Sequence, residues 1–97
     1  MASVVIGCDV GTSGAKAFAV DLGDEARLVV PGTLARVPYP TQSAAANIAE
    51  QDPAVWWESF QACTSRTIDA LPGGTKVQGV ALSGQMQCVL CLDGQGD

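Results

Sequence analysis

One stretch of the chain brings residue types that do chemistry into close spacing: Asp9-Val10-Gly11-Thr12-Ser13-Gly14-Ala15-Lys16. Gly11 and Gly14 allow close backbone approach and positive φ, so successive N–H groups can face one anion as a nest. Thr12 and Ser13 add hydroxyl donors, and Lys16 adds a cation one step further on. Asp9 is the odd member, because a carboxylate repels a bound phosphate. It makes sense if it holds Mg2+, directly or through water, since magnesium takes few carboxylates and keeps several waters. Donors for phosphate oxygens beside one metal-binding carboxylate describe a site for the transferable end of ATP. An ordinary β-turn is also rich in Gly, Asp, Thr and Ser, so the residue types alone leave a plain hairpin turn open. The pattern is neither the G-x-x-x-x-G-K-[ST] loop nor G-x-G-x-x-G, since the glycines stand at 7, 11 and 14.

Other chemistries are excluded by what the chain lacks. It contains no histidine, which removes Ser-His-Asp and Cys-His nucleophile systems and any zinc site with a histidine ligand. Ten acidic residues against five basic ones give a net charge of -5, which argues against nucleic acid or an anionic membrane as partner. Cys8, Cys63, Cys88 and Cys91 all lie in apolar or small-residue stretches, the setting of buried free thiols. Cys88 and Cys91 form a C-x-x-C, but on a strand their odd offset points them to opposite faces. A redox C-x-x-C also needs a helix N-terminus to stabilise its thiolate. The N-terminus has no basic residue of a signal peptide, and no apolar run approaches the roughly 20 residues of a membrane span. A reduced, cytoplasmic chain is expected.

The elements that must position these residues follow from periodicity. The 97 residues suit one small domain or part of a larger one, and 47% hydrophobic content suffices for a packed core. Residues 3–9 are β-branched and nearly continuously apolar, as in a strand buried on both faces. A turn over 10–14 leads into an alternating strand over 15–21, with Ala15, Ala17 and Ala19 on one side and Lys16, Phe18 and Val20 on the other. Together they predict a hairpin. A third strand is expected over 26–37, broken near Pro31-Gly32, followed by an irregular stretch over 38–49 that contains two prolines. Asp52 as N-cap and Pro53 at the first helical position start a helix. Its apolar stripe reads Trp56/Trp57, Phe60, Cys63/Thr64, Thr67/Ile68 and Leu71, and Pro72-Gly73-Gly74 ends it. A strand over 76–82, parallel to an earlier one, a loop over 83–87 and a short strand over 88–92 complete an α/β order, βββαβ plus a hairpin strand. The chain stops in a turn where such a fold would continue, so residues 1–97 are expected to be the first part of a larger domain.

The residues from Gly7 to Lys16 resemble the first phosphate motif of the FGGY carbohydrate kinases. That family shares the ribonuclease H-like fold of actin, hexokinase and the heat-shock chaperone ATPases. Ala49-Glu50-Gln51-Asp52-Pro53 with Trp56-Trp57 is similar to the helix start of the xylulokinase branch. Ser83-Gly84-Gln85-Met86-Gln87, with the residues from Val89 to Asp93, resembles its Ser-Gly-Gln-Met-His segment and the short strand after it. The resemblance spans the chain but only the first part of such an enzyme.

It implies a kinase that transfers the γ-phosphate of ATP to a hydroxyl of D-xylulose, with ATP and Mg2+ as cofactors. Asp9 would stand near the metal, and Gly11, Thr12, Ser13, Gly14 and Lys16 at the phosphates. Gln85, Met86 and Gln87 would lie at the sugar pocket. Gln87 departs from the family, occupying the position usually held by histidine, so substrate identity stays open. The family's catalytic aspartate lies downstream, and Asp52, Asp69 and Asp93 read as cap, helix surface and turn. The chain alone is therefore expected to be inactive, and the complete enzyme to act on a small sugar, with a homodimer as one expectation. Two alternatives stand beside this. One is a family member for another substrate (ribulose, gluconate or glycerol). The other is a non-catalytic phosphate-binding module, stable by itself, whereas the kinase segment would expose a strand edge.

Overall fold

The computed structural model describes residues 3–23, 29–43, 45, 49–84, 90 and 92–96. The two alternating runs form the expected hairpin: β1 (Ser3–Val10) pairs antiparallel with β2 (Gly14–Asp21), placing Ile6 opposite Ala19 and Val10 opposite Ala15. β3 (Ala35–Pro38) adds to the outer side of β2, and β4 (Lys76–Gly84) runs parallel to the other side of β1. The sheet order is β3-β2-β1-β4. Between β3 and β4 lies α1 (Pro53–Asp69), whose N-cap Asp52 accepts from the Ala54 amide at 2.9 Å, with Pro53 at the first position as expected.

Of the strand expected over 26–37, residues 26–28 lie outside the described residues, and over 29–37 the continuous strand begins only at Ala35. Val29 makes only an isolated bridge to Val20, and Pro31-Gly32 forms a turn with Gly32 at φ 79°. Thr33 then takes over a ladder position with its side chain. Its hydroxyl receives the Ala19 amide at 3.1 Å and donates to the Val30 carbonyl at 2.7 Å. A side chain that satisfies the neighbouring strand removes the need for continuous backbone pairing there. The stretch after β3 is irregular, as expected, closed by one bridge between Gln42 and Glu50.

The core lies between α1 and one face of the sheet. Val4, Ile6 and Cys8 of β1 and Ala15, Ala17 and Ala19 of β2 are buried there. β1 is thus buried on one face only; Val5, Gly7 and Asp9 on the other are half-buried. The expectation of burial on both faces fails because the helix covers a single side. Opposite the alanines, α1 presents Ser59, Cys63 and Thr67 at a spacing of four. Small residues on both sides let the helix lie close, and Cys63 reaches the Ala15 carbonyl at 3.4 Å. The expected apolar stripe holds at Trp56, Phe60, Cys63, Thr67 and Leu71, gains Ser59, and is corrected at Trp57 and Ile68, which are exposed. Trp56 packs at the edge of the core, but Trp57 is 61% exposed and stacks on Phe60 at the surface. Adjacent helical residues diverge by about 100°, so both indoles cannot face the sheet. Thr67 donates to the Thr33 carbonyl at 2.8 Å and anchors the helix to the turn before β3.

Cys8 and Cys63 are buried free thiols, as expected; Cys88 and Cys91 lie outside the described residues. α1 contacts β1, β2 and β3 but not β4. Val77, Val80 and Leu82 of β4 are consequently exposed, and β4 is the outermost strand of the sheet among the described residues. Among the described residues no helix is long and apolar enough to cross a membrane.

Candidate functional site

Strand register assembles a row of polar side chains on the sheet face away from α1. Asp9 pairs with Lys16 across β1 and β2, Lys16 with Arg36 across β2 and β3, and Asp9 with Ser83 across β1 and β4. Partners in register share a face, so the order across the sheet is Ser83, Asp9, Lys16, Arg36. The row stands at the carboxyl ends of the parallel pair β1 and β4, where open α/β sheets place ligands. Ser83 donates to Asp9 Oδ1 at 2.7 Å. Directly beyond it the turn Gly11-Thr12-Ser13-Gly14 closes through the Gly11 amide on the Gly14 carbonyl at 2.9 Å.

The turn, Asp9, Lys16 and Arg36–Pro38 line an open depression of about 360 Å³. The five residues expected at the phosphates and Asp9, expected at the metal, all line this one depression. Two of the chain's five basic residues, Lys16 and Arg36, stand at this depression beside the carboxylate of Asp9, in a protein of net charge -5.

The glycines serve close approach and not left-handed backbone. Neither Gly11 nor Gly14 has positive φ; among the described residues Gly32, Gly74 and Gly96 do. A Cβ on Gly14 would stand 2.7 Å from the Val37 carbonyl oxygen and 2.9 Å from Pro38 Cα. A Cβ on Gly11 would stand 3.2 Å from Asp9 Oδ2. That position leaves the second carboxylate oxygen of Asp9 facing the turn while Ser83 holds the first. One carboxylate oxygen beside hydroxyl donors fits Mg2+, an ion that retains most of its water. Among the described residues no group of three carboxylate or thiol side chains gathers to replace that water.

Behind the turn stands a second layer. Tyr39, buried at 7% exposure, donates its hydroxyl to the Gly11 carbonyl. Gln51 Nε2 donates to the Thr12 carbonyl at 2.5 Å and to Thr41 Oγ1 at 2.9 Å, and its Oε1 accepts from the Trp56 indole at 2.9 Å. The Tyr39 amide donates to the Ser13 carbonyl at 3.2 Å. Burial pushes the Tyr39 hydroxyl above its ordinary pKa, and the Asp9 charge pushes it further. Burial likewise raises the Cys8 thiol, with Cys63 and Asp9 adding to it. Cys63 is raised by burial against a smaller opposing pull from Arg66 and the Val37 backbone. The Cys8, Cys63 and Tyr39 side chains therefore stay protonated at neutral pH.

Sequence reasoning alone missed Ser83, Arg36, Tyr39 and Gln51 as members of the site. The first two carry a signal only once strand register is known. Tyr39 stands out as the single tyrosine of the chain, set between two prolines. Gln85, Met86 and Gln87 lie outside the described residues; β4 brings the chain to Gly84, alongside Val10.

The family model for the N-terminal domain of the FGGY carbohydrate kinases matches residues 4–97. Among solved structures, gluconate kinase from Lactobacillus acidophilus aligns with a TM-score of 0.85 at 23% identity, over 100% of this chain and 18% of that one. Xylulose kinase from the same organism aligns with a TM-score of 0.83 at 23% identity, over 98% and 18%. Xylulose kinase from Rhodospirillum rubrum aligns with a TM-score of 0.83 at 30% identity, over 97% and 18%. The chain thus spans less than a fifth of the length of these solved relatives. No curated protein sequence matches it significantly.

Proposed function

The chain belongs to the FGGY family of carbohydrate kinases, and we propose that it is the ATP-binding opening segment of a kinase for D-xylulose. Its α/β sheet and helix have the actin- and hexokinase-like fold of the family's N-terminal domain. The observation that carries the reading is the register that sets Asp9, Lys16 and Arg36 in one row beside the Gly11–Gly14 turn. In the proposed roles, the amides and hydroxyls of Thr12 and Ser13 donate to the terminal phosphate oxygens. Lys16 neutralises charge on the transferring group, and Gly11 and Gly14 let the phosphates approach the backbone. Asp9 would hold Mg2+ through its turn-facing oxygen, with Ser83 fixing the carboxylate. The ion, when bound, offsets negative charge on the phosphates during an in-line transfer. Proton removal from the sugar hydroxyl is assigned to no residue of this chain, and Gln85, Met86 and Gln87 are proposed to line the sugar pocket.

Gluconate is the second reading. Gln87 stands where the xylulokinase pattern has histidine, and a gluconate kinase is among the similar structures. The test is ATP-dependent phosphorylation by the full-length kinase carrying this segment, offered D-xylulose, D-gluconate, D-ribulose and glycerol in parallel. Highest kcat/KM on D-xylulose is expected. Preference for gluconate selects the second reading, and no turnover on any of the four overturns the kinase assignment.

A further inference from the structure

Three consecutive carbonyls of the phosphate turn are each held from behind. Gly11 O receives the Tyr39 hydroxyl, Thr12 O receives Gln51 Nε2, and Ser13 O receives the Tyr39 amide. In a planar trans peptide the carbonyl and the following N–H point in opposite directions. Fixing the carbonyls of Gly11, Thr12 and Ser13 therefore fixes where the amides of Thr12, Ser13 and Gly14 point. We propose that Tyr39 and Gln51 are positioning residues that aim these three amides into the phosphate site, with Trp56 locking Gln51 in place. This rests on the reading of the turn as a phosphate site.

The chemistry of each member suits the task. A turn of small residues has few side-chain contacts of its own, and rotating one peptide plane withdraws a donor from the anion. Gln51 is set by both ends of its amide: Oε1 accepts the indole N–H of Trp56, so Nε2 must face Thr41 and the turn. Trp56 in turn is seated at the edge of the core on the first turn of α1. Tyr39 is buried, with its ring in the core and its hydroxyl under Gly11. It is kept protonated by burial and by Asp9, so it remains a donor. Preorganised donors of this kind need no reorientation when charge develops. The helix and the stretch after β3 thereby set the geometry of a turn they do not belong to.

The test measures backbone amide order parameters in this chain, wild type and with Tyr39→Phe or Gln51→Glu, together with the Kd for Mg·ATP. Phenylalanine keeps the ring and removes one donor; glutamate keeps the acceptor for Trp56 and removes the other. Tyr39→Phe is expected to lower the Thr12 amide, and Gln51→Glu the Ser13 amide, from about 0.85 toward 0.6 or below. Ile6 and Cys8 in β1 should not change, and the Kd should rise about 3- to 10-fold, the range for one hydrogen bond. Unchanged Thr12 and Ser13 amides, or an even loss that extends into β1, overturns the proposal. In the unsubstituted protein, through-bond coupling between Gln51 Nε2 and the Thr12 carbonyl carbon gives the same test, and its absence also overturns it. Asp9→Asn separates the two readings. Full Mg·ATP affinity in that variant sinks the phosphate site, while loss of affinity there with normal Tyr39→Phe and Gln51→Glu proteins sinks only the positioning role.

Discussion

Gly14 shows how tightly single residues are specified around the turn. Its Cα lies against the backbone of Val37 and Pro38, so any Cβ would overlap atoms that cannot rotate away. Gly14→Ala is expected to lower stability by roughly 1–3 kcal/mol in urea denaturation, the cost of forced overpacking. Gly79→Ala, where nothing lies within 4 Å, should be neutral or slightly stabilising. The buried protonated groups make a second residue-level prediction. Cys8, Cys63 and Tyr39 are all raised in the folded protein, so folding disfavours their ionisation. Their contribution is complete below the unfolded values and fades as pH climbs past the ordinary thiol value of 9.0. The urea midpoint should therefore be indifferent to these groups near neutrality and fall above that pH; a rise there contradicts the burial argument. At this scale the contiguous part of the site, Asp9 to Lys16, is legible in sequence because spacing along one turn is spacing in space. Arg36 and Ser83 are not, because their place depends on the register of strands that meet from far apart in the chain.

Elements were readable where local signals suffice. Asp52-Pro53 marks the start of α1, and Asp52 does accept the Ala54 amide. Asp52→Ala should destabilise the protein by about 1 kcal/mol in urea denaturation, and Asp52→Asn by much less, since asparagine caps as well as aspartate. Equal losses in both would assign the effect to charge and not to capping. Where a side chain replaces backbone pairing, sequence patterns mislead. Thr33 completes the β2 ladder by its hydroxyl, and Val29 and Val30 before it read as strand but carry only an isolated bridge. The helix stripe misleads for a different reason. Neighbouring aromatic residues suggest one buried face, yet the fully buried residues of α1 are Ser59, Cys63 and Thr67, with Trp56 and Phe60 packing at the margin of the core and Trp57 exposed.

Across the whole molecule, one face of the sheet carries the helix and the core, and the other carries the charged row. That division lets the apolar side define strand register while the polar side inherits it as an aligned site. It also fits the proposed phosphate site in an acidic chain: Asp9 is one of ten acidic residues, and the row puts Lys16 and Arg36 beside it on the same face. The most direct test uses Mn2+ in place of Mg2+ with ATP, following paramagnetic broadening of each backbone amide. Amides from Asp9 to Gly14 and at Ser83 should broaden first, and Asp9→Asn should remove the effect. Broadening spread over Glu50, Asp52, Glu58 and Asp69, or unchanged in Asp9→Asn, would contradict the phosphate and metal assignment.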